Sequence, residues 1–168
     1  AYYELKDYNK AVAAATEVLA MPDITDRVKS DAILIEARSA METGNEQKAK
    51  EAYKRVAEIA TGKLAAEALY YDAYFKNKEG AFKASNEQVQ KLAKDYSGYK
   101  EFGAKGLVLM AQNFYALEDA YQATYILTSI EDNFKDFPEI VLEAKTILQQ
   151  IKDKEAKTNA SISKDEEE

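Results

Sequence analysis

Histidine, cysteine and tryptophan are absent from the 168 residues, proline occurs twice and glycine six times. Without His and Cys the chain can form no disulfide, no thiolate or imidazole metal site, no thiol nucleophile and no His-based triad. Scarce Pro and Gly leave few chain-breaking turns, so long helices are expected. Long apolar runs are missing too. The longest, residues 11–15 and 107–111, have five members, against the roughly 20 that cross a bilayer, and no transmembrane segment is expected. No concentrated basic face is present, which speaks against a nucleic acid as partner. The net charge of -7 comes from 23 basic and 30 acidic residues, and four of the acids lie in residues 164–168. No Gly-rich phosphate loop occurs, because the glycines at 44, 62, 80, 98, 103 and 106 are scattered. No cofactor is implied.

What is present is tyrosine, twelve times, and an internal repeat. The run Lys6-Asp7-Tyr8-Asn9-Lys10-Ala11 is echoed by Gly44-Asn45-Glu46-Gln47-Lys48-Ala49 and by Glu118-Asp119-Ala120-Tyr121-Gln122-Ala123. A weaker copy covers residues 79–84, so alanines mark positions 11, 49, 84 and 123. A second small-residue series, Ala37, Ala73 and Ala111, has spacings of 36 and 38. Self-similarity at such a period marks a stacked repeat. Between the markers apolar residues follow helical spacing, as in Ala49, Tyr53, Val56 and Ala60. Helices are expected at about 8–20, 25–43, 46–61, 64–77, 80–96, 99–117 and 119–134, with a short remnant at 1–5. A further helix at 138–156, started by Pro138, has a single apolar stripe of Ile140, Ala144, Ile147 or Leu148, and Ile151, the pattern of a cap on a stacked array. Residues 157–168 read as a disordered acidic tail. Asn159-Ala160-Ser161 within it reads as a chance match to a glycosylation triplet. The chain opens on Ala1 within helix-like sequence and reads as a piece of something longer.

Helix pairs of about 34 residues, with a small residue midway along the first helix, a Gly-Asp-Tyr-like turn and Ala near the start of the second, resemble tetratricopeptide repeats. The resemblance covers residues 1–135. It implies an all-α, right-handed α-solenoid of antiparallel helix hairpins, with repeats at about 1–22, 25–62, 64–97 and 99–135 and a C-terminal capping helix. In that arrangement Ala37 faces Ala49 and Ala111 faces Ala123, because two helix axes come close only where small residues meet. Gly103 and Gly106, inside a helix, read as close-packing positions. The third unit departs from the pattern by a one-residue insertion near residues 78–82. Residues 65–70, 104–111 and 121–134 also resemble the C-terminal end of long tetratricopeptide-repeat proteins of Bacteroidetes. That likeness implies a place in the periplasm or on the outer membrane, and a C-terminal piece of a larger scaffold.

The family's first helices line a concave face where peptide or protein partners lie. Carried over position by position, this face consists of Leu34, Arg38 and Met41, then Tyr70 and Tyr74, then Val108, Gln112 and Tyr115. Tyr and Arg suit contact, offering large area with a polar tip. Tyr70 and Tyr74 also suit packing between helices, and the insertion leaves Tyr71 and Phe75 as the alternative pair. The Lys-Asn-Arg clamp by which some relatives hold chaperone tails is absent, since the corresponding positions carry Leu34, Arg38 and Gln112. Paired acids such as Asp23 with Asp26 or Glu42 with Glu46 read as helix-end residues rather than acid–base catalysts. Asp132, Asp136 and Glu139 match no cation-loop spacing. The reading is therefore a non-catalytic binding scaffold. Its alternatives are a purely structural stacking segment of a longer solenoid and a cytosolic adaptor.

Overall fold

The computed structural model describes residues 2–165, with side chains as far as residue 158. Among them are eight α-helices and no strand. They are α1 (Tyr8–Leu19), α2 (Asp26–Glu42), α3 (Glu46–Ile59), α4 (Gly62–Lys78), α5 (Phe82–Asp95), α6 (Lys100–Ala116), α7 (Ala120–Asn133) and α8 (Pro138–Asp165). Each helix packs on the next, and α4, α6 and α8 also touch in series. The hairpins α2–α3, α4–α5 and α6–α7 thus form a row. No helix among the described residues is long and apolar enough to cross a membrane.

The hairpins share one turn, built from the backbone up. Helices α2, α4 and α6 each have 17 residues, and each ends two residues before a residue in the left-handed region: Gly44 (φ 73°), Gly80 (φ 76°) and Glu118 (φ 65°). Two hydrogen bonds close each end. Gly44 N donates to the Met41 carbonyl and Asn45 N to that of Ala40; Gly80 and Ala81 repeat this on Asn77 and Lys76, Glu118 and Asp119 on Tyr115 and Phe114. This closure satisfies carbonyls that a helix end would otherwise leave without partners. The next residue then caps the following helix: Asn45 accepts from Lys48 N, and Asp119 from Gln122 N.

The same closure begins the chain. Lys6 has φ 58°, its N donates to the Tyr3 carbonyl, and Asp7 N donates to that of Tyr2 before the Asp7 side chain caps α1. Residues 2–6 are therefore a turn, not the short helix expected at 1–5. They reproduce the closing turn of α2, α4 and α6.

Counting from the left-handed residue puts all units in one register. Seven residues before it stand Ala37, Ala73 and Ala111; five after it stand Ala11, Ala49, Ser85 and Ala123. All but Ala11 are fully buried, and Ala11 is 4% exposed. The third unit thus holds Ser85, not Ala84, at the close-approach position. The Ser85 hydroxyl donates to the Ala73 carbonyl of the facing helix at 2.7 Å. No insertion lies at residues 78–82. The unequal period arises between hairpins, where α3 and α4 are separated by residues 60–61 but α5 and α6 by residues 96–99. Gly106 is a close-packing position, since a Cβ there would stand 3.1 Å from Val89 Cγ1, whereas around Gly103 there is open space.

Burial follows this register. One cluster joins Ile33, Leu34, Ala49, Tyr53 and Val56 around α2 and α3. Another joins Val108, Leu109, Leu127 and Ile130 to Ile140, Ala144, Leu148 and Ile151 of α8, so the last helix does cover the end of the row. It runs on to Asp165, beyond the boundary expected at 156. Residues 166–168 of the expected tail lie outside the described residues, as do the side chains of Asn159 and Ser161 in the glycosylation triplet.

Candidate functional site

The first helices of the hairpins, α2, α4 and α6, place the eight expected contact residues at matching positions. Ten, six and three residues before the closure these are Leu34, Arg38 and Met41; Tyr70, Tyr74 and Asn77; and Val108, Gln112 and Tyr115. The closure at Gly80 decides between the alternative pairs: Tyr70 and Tyr74 occupy this line. Phe75 is buried and Tyr71 stacks on Tyr53 at a ring separation of 4.0 Å. Asn77 completes the third set and was not expected from the sequence, since the closure that locates it is visible only in the backbone.

The residues divide into three groups. Tyr70, Tyr74, Val108 and Gln112 come together, lining a cleft of about 370 Å³ with Asn77, Lys105 and Glu143. Tyr70 is half-buried with its ring 6.1 Å from Phe102, and burial pushes its phenol well above the ordinary value. Tyr74 rests edge-on against Phe75 at 5.4 Å and donates to Glu46 Oε1 at 3.4 Å, while Lys78 Nζ lies 5.6 Å over its ring. The Tyr74 and Glu46 neighbours hold the Lys78 ammonium above its ordinary pKa. Lys105 donates to Glu101 at 2.7 Å, and this bond holds the Glu101 carboxyl below its ordinary pKa. The cleft therefore offers apolar ring faces, an amide and screened charges of both signs. That suits a chain with mixed polar and apolar groups, with hydrogen bonds made at the rim.

The second group is internal. Leu34 and Val108 are 4% and 3% exposed, so both act chiefly as core although Val108 also touches the cleft, and Met41 packs half-buried against the α2–α3 cluster. Arg38 forks onto Glu67, Nε to Oε1 at 2.7 Å and Nη2 to Oε2 at 2.5 Å, and Tyr53 Oη donates to Glu67 Oε1 at 3.0 Å. The bond to Glu67 drives the Arg38 pKa further up, and burial does the same to the Tyr53 phenol. Glu67 is only 3% exposed, so this fork ties α2 to α4 where a lone carboxylate would be very costly. Arg38 is thus committed to the row itself rather than to an open face. Glu67 carries a visible but easily passed signal, a single acid in the otherwise apolar run of residues 64–70.

The third group is Tyr115, which does not line the cleft and instead meets α8. Its hydroxyl donates to Glu155 Oε1 at 3.2 Å and Lys154 Nζ lies 5.8 Å from its ring. A polar ladder of similar kind lies behind the cleft. Asn113, fully buried, donates to Ser85 Oγ and Asn86 Oδ1 at 2.9 and 2.7 Å and accepts from Asn77 at 2.6 Å. Every polar atom of its side chain is used, so the ladder fixes α4, α5 and α6 against one another.

The acids weighed for chemistry have local roles. Glu42 accepts from Tyr8, Glu46 from Tyr74, and Asp26 sits in the first turn of α2 behind the Thr25 cap. Asp132, Asp136 and Glu139 are exposed, and among the described residues no group of three or more acids could hold a metal ion. No family model matches the chain, and no curated protein or solved structure shows significant similarity to it.

Proposed function

We propose that the chain is a tetratricopeptide-like interaction scaffold, a right-handed solenoid whose first helices form a concave partner-binding face. It does no chemistry of its own. The observation that carries this reading is the convergence of Tyr70, Tyr74, Val108 and Gln112, from two successive hairpins, on one open cleft. Half-buried tyrosines give large contact area at small entropic cost, because a ring held by its neighbours has little freedom left to lose on binding. The likeness of residues 65–70, 104–111 and 121–134 to envelope proteins of Bacteroidetes supports placing the scaffold in the periplasm or at the outer membrane, as the C-terminal part of a longer protein.

Affinity capture from an envelope extract tests the reading, using the parent chain, a Tyr74→Ala/Gln112→Ala variant and a Tyr121→Ala variant. Tyr121 is 76% exposed on α7, away from the cleft, and serves as control. The parent and the control should retain the same protein, and the double variant, folded by circular dichroism, should lose at least tenfold. An identical set of captured proteins for all three would favour the competing view, in which the segment only stacks within a longer row.

A further inference from the structure

The charges around the cleft are not all compensated. The two lysines that line it have acids of their own that do not: Lys78 lies 3.4 Å from Glu46 and Lys105 2.7 Å from Glu101. Glu143 of α8 also lines the cleft, is exposed, and makes no ion pair or side-chain hydrogen bond among the described residues. The neighbouring Lys145 pairs with Glu131 at 3.6 Å instead. Gln112, half-buried, likewise has no hydrogen-bond partner among the described residues, so its amide keeps donors and an acceptor to spare. Tyr70 stands near the free acid, and burial, then Tyr71 and Glu143, push its phenol up.

One junction of the row shows what such an acid takes. Glu143 is the sixth residue of α8 as Glu67 is of α4, and Gln112 is the thirteenth of α6 as Arg38 is of α2. Burial keeps α6 and α8 in this register: Phe102, Gly106, Met110 and Asn113 answer to Ile140, Ala144, Leu148 and Ile151. Glu67 receives the fork from Arg38. On α4 and α6 the two places hold Tyr74 and Lys105, which bond to Glu46 and Glu101. On α6 and α8 the acid is present and the base is not.

We propose that the cleft takes a positively charged side chain, Arg or Lys, from an extended segment of a partner protein, with Glu143 as its counter-ion. This chemistry rests on the cleft being the partner-binding face proposed above. The cationic head meets the Glu143 carboxylate, the Gln112 amide oxygen accepts a further hydrogen bond, and the apolar stem lies along Tyr70, Val108 and Leu109. Lys78, 5.6 Å over the Tyr74 ring, already places a cation on an aromatic face of this cleft. An anionic group has no counterpart there, since both lysines are paired and Glu143 repels it. The volume of about 370 Å³ suits one long side chain rather than a helix, which is about 10 Å across.

The probe is a library of short random peptides displayed on phage and selected on the parent chain. The selected peptides should share an Arg or Lys, and the best of them should bind Glu143→Gln about tenfold more weakly, the scale of one hydrogen bond to a charged group. Changing its basic residue to Leu should cost as much on the parent and nothing further on Glu143→Gln, the coupling expected of a direct pair. Because Glu143 is exposed, the variant should keep the parent's thermal midpoint, so that lost binding reports contact and not unfolding. Peptides that lose binding to Tyr74→Ala/Gln112→Ala yet share no basic residue, or are indifferent to Glu143→Gln, would overturn the proposal and leave the cleft a partner site of other chemistry. Peptides indifferent to the double variant, or no selected peptide at all, would overturn the cleft reading and this proposal with it.

Discussion

At the scale of single residues, four of the six left-handed positions among the described residues form the same closing turn, and they are not chemically equal. Gly44 and Gly80 adopt positive φ freely, whereas Lys6 and Glu118 carry side chains there. Glu118→Gly and Lys6→Gly should each raise stability by about 0.5–1 kcal/mol, the backbone gain being partly offset by the freer unfolded chain. Gly44→Ala and Gly80→Ala should lower it by about 1 kcal/mol through the backbone alone, because a Cβ at either site meets nothing within 4 Å. Urea unfolding of the four variants reads both signs in one series. The Gly and Asn of the second closure and the Asp of the fourth were legible as turn residues. That Lys6 and Glu118 hold the same conformation was not, because these side chains have no preference for it and tertiary packing imposes it.

The helices themselves were largely legible, since their apolar stripes repeat with helical period and α1, α2, α3 and α7 carry recognisable capping side chains. Besides the turn found in place of a helix at residues 2–6, two elements were misjudged for identifiable reasons. The turn of the α4–α5 hairpin has Ala81 where Asn45 and Asp119 cap, and α5 has Ser85 where alanines pack, so both local signals are missing and the register slid by one residue. The last helix continues past Ala156 because nothing in residues 157–165 breaks a helix, although the composition is too polar to demand burial. Its stabilising portion is the apolar stripe. Ile151, 3% exposed, should cost about 3 kcal/mol when changed to Asp, through lost burial and an unpaired carboxylate. Removing residues 157–168 should change stability by less than about 0.5 kcal/mol, since residues 152–158 are exposed. Thermal unfolding by circular dichroism distinguishes the two.

For the molecule as a whole, hairpins are tied together by buried polar bonds as well as by apolar contact. The Arg38–Glu67–Tyr53 fork joins the second and third units, and the Asn113 ladder joins the third and fourth. Neither was read from the sequence, because a buried polar residue is recognised only by the partners that satisfy it, and these lie 14 to 36 residues away. Burial also governs the response to alkali. The Tyr53 and Tyr70 phenols are raised above the ordinary value of 10.0. Their contribution to stability is therefore complete below that pH and is lost as pH rises past it, when the unfolded chain releases protons that the fold retains. Tyrosinate absorbance near 295 nm should show these two ionising together with the loss of helix followed by circular dichroism.

The candidate face was half legible. Position alone located Tyr70, Tyr74, Val108 and Gln112, but not that Arg38 is committed to Glu67 or that α8 meets Tyr115, both of which depend on neighbouring units. Site-specific photo-crosslinking tests the central claim most directly, with a benzophenone amino acid placed in turn at Tyr74, in the cleft, and at Tyr125, 66% exposed on α7. In cells that express the protein, one discrete adduct is expected from position 74 and none from position 125. Equal adducts from both positions, or an adduct from 125 alone, would contradict it.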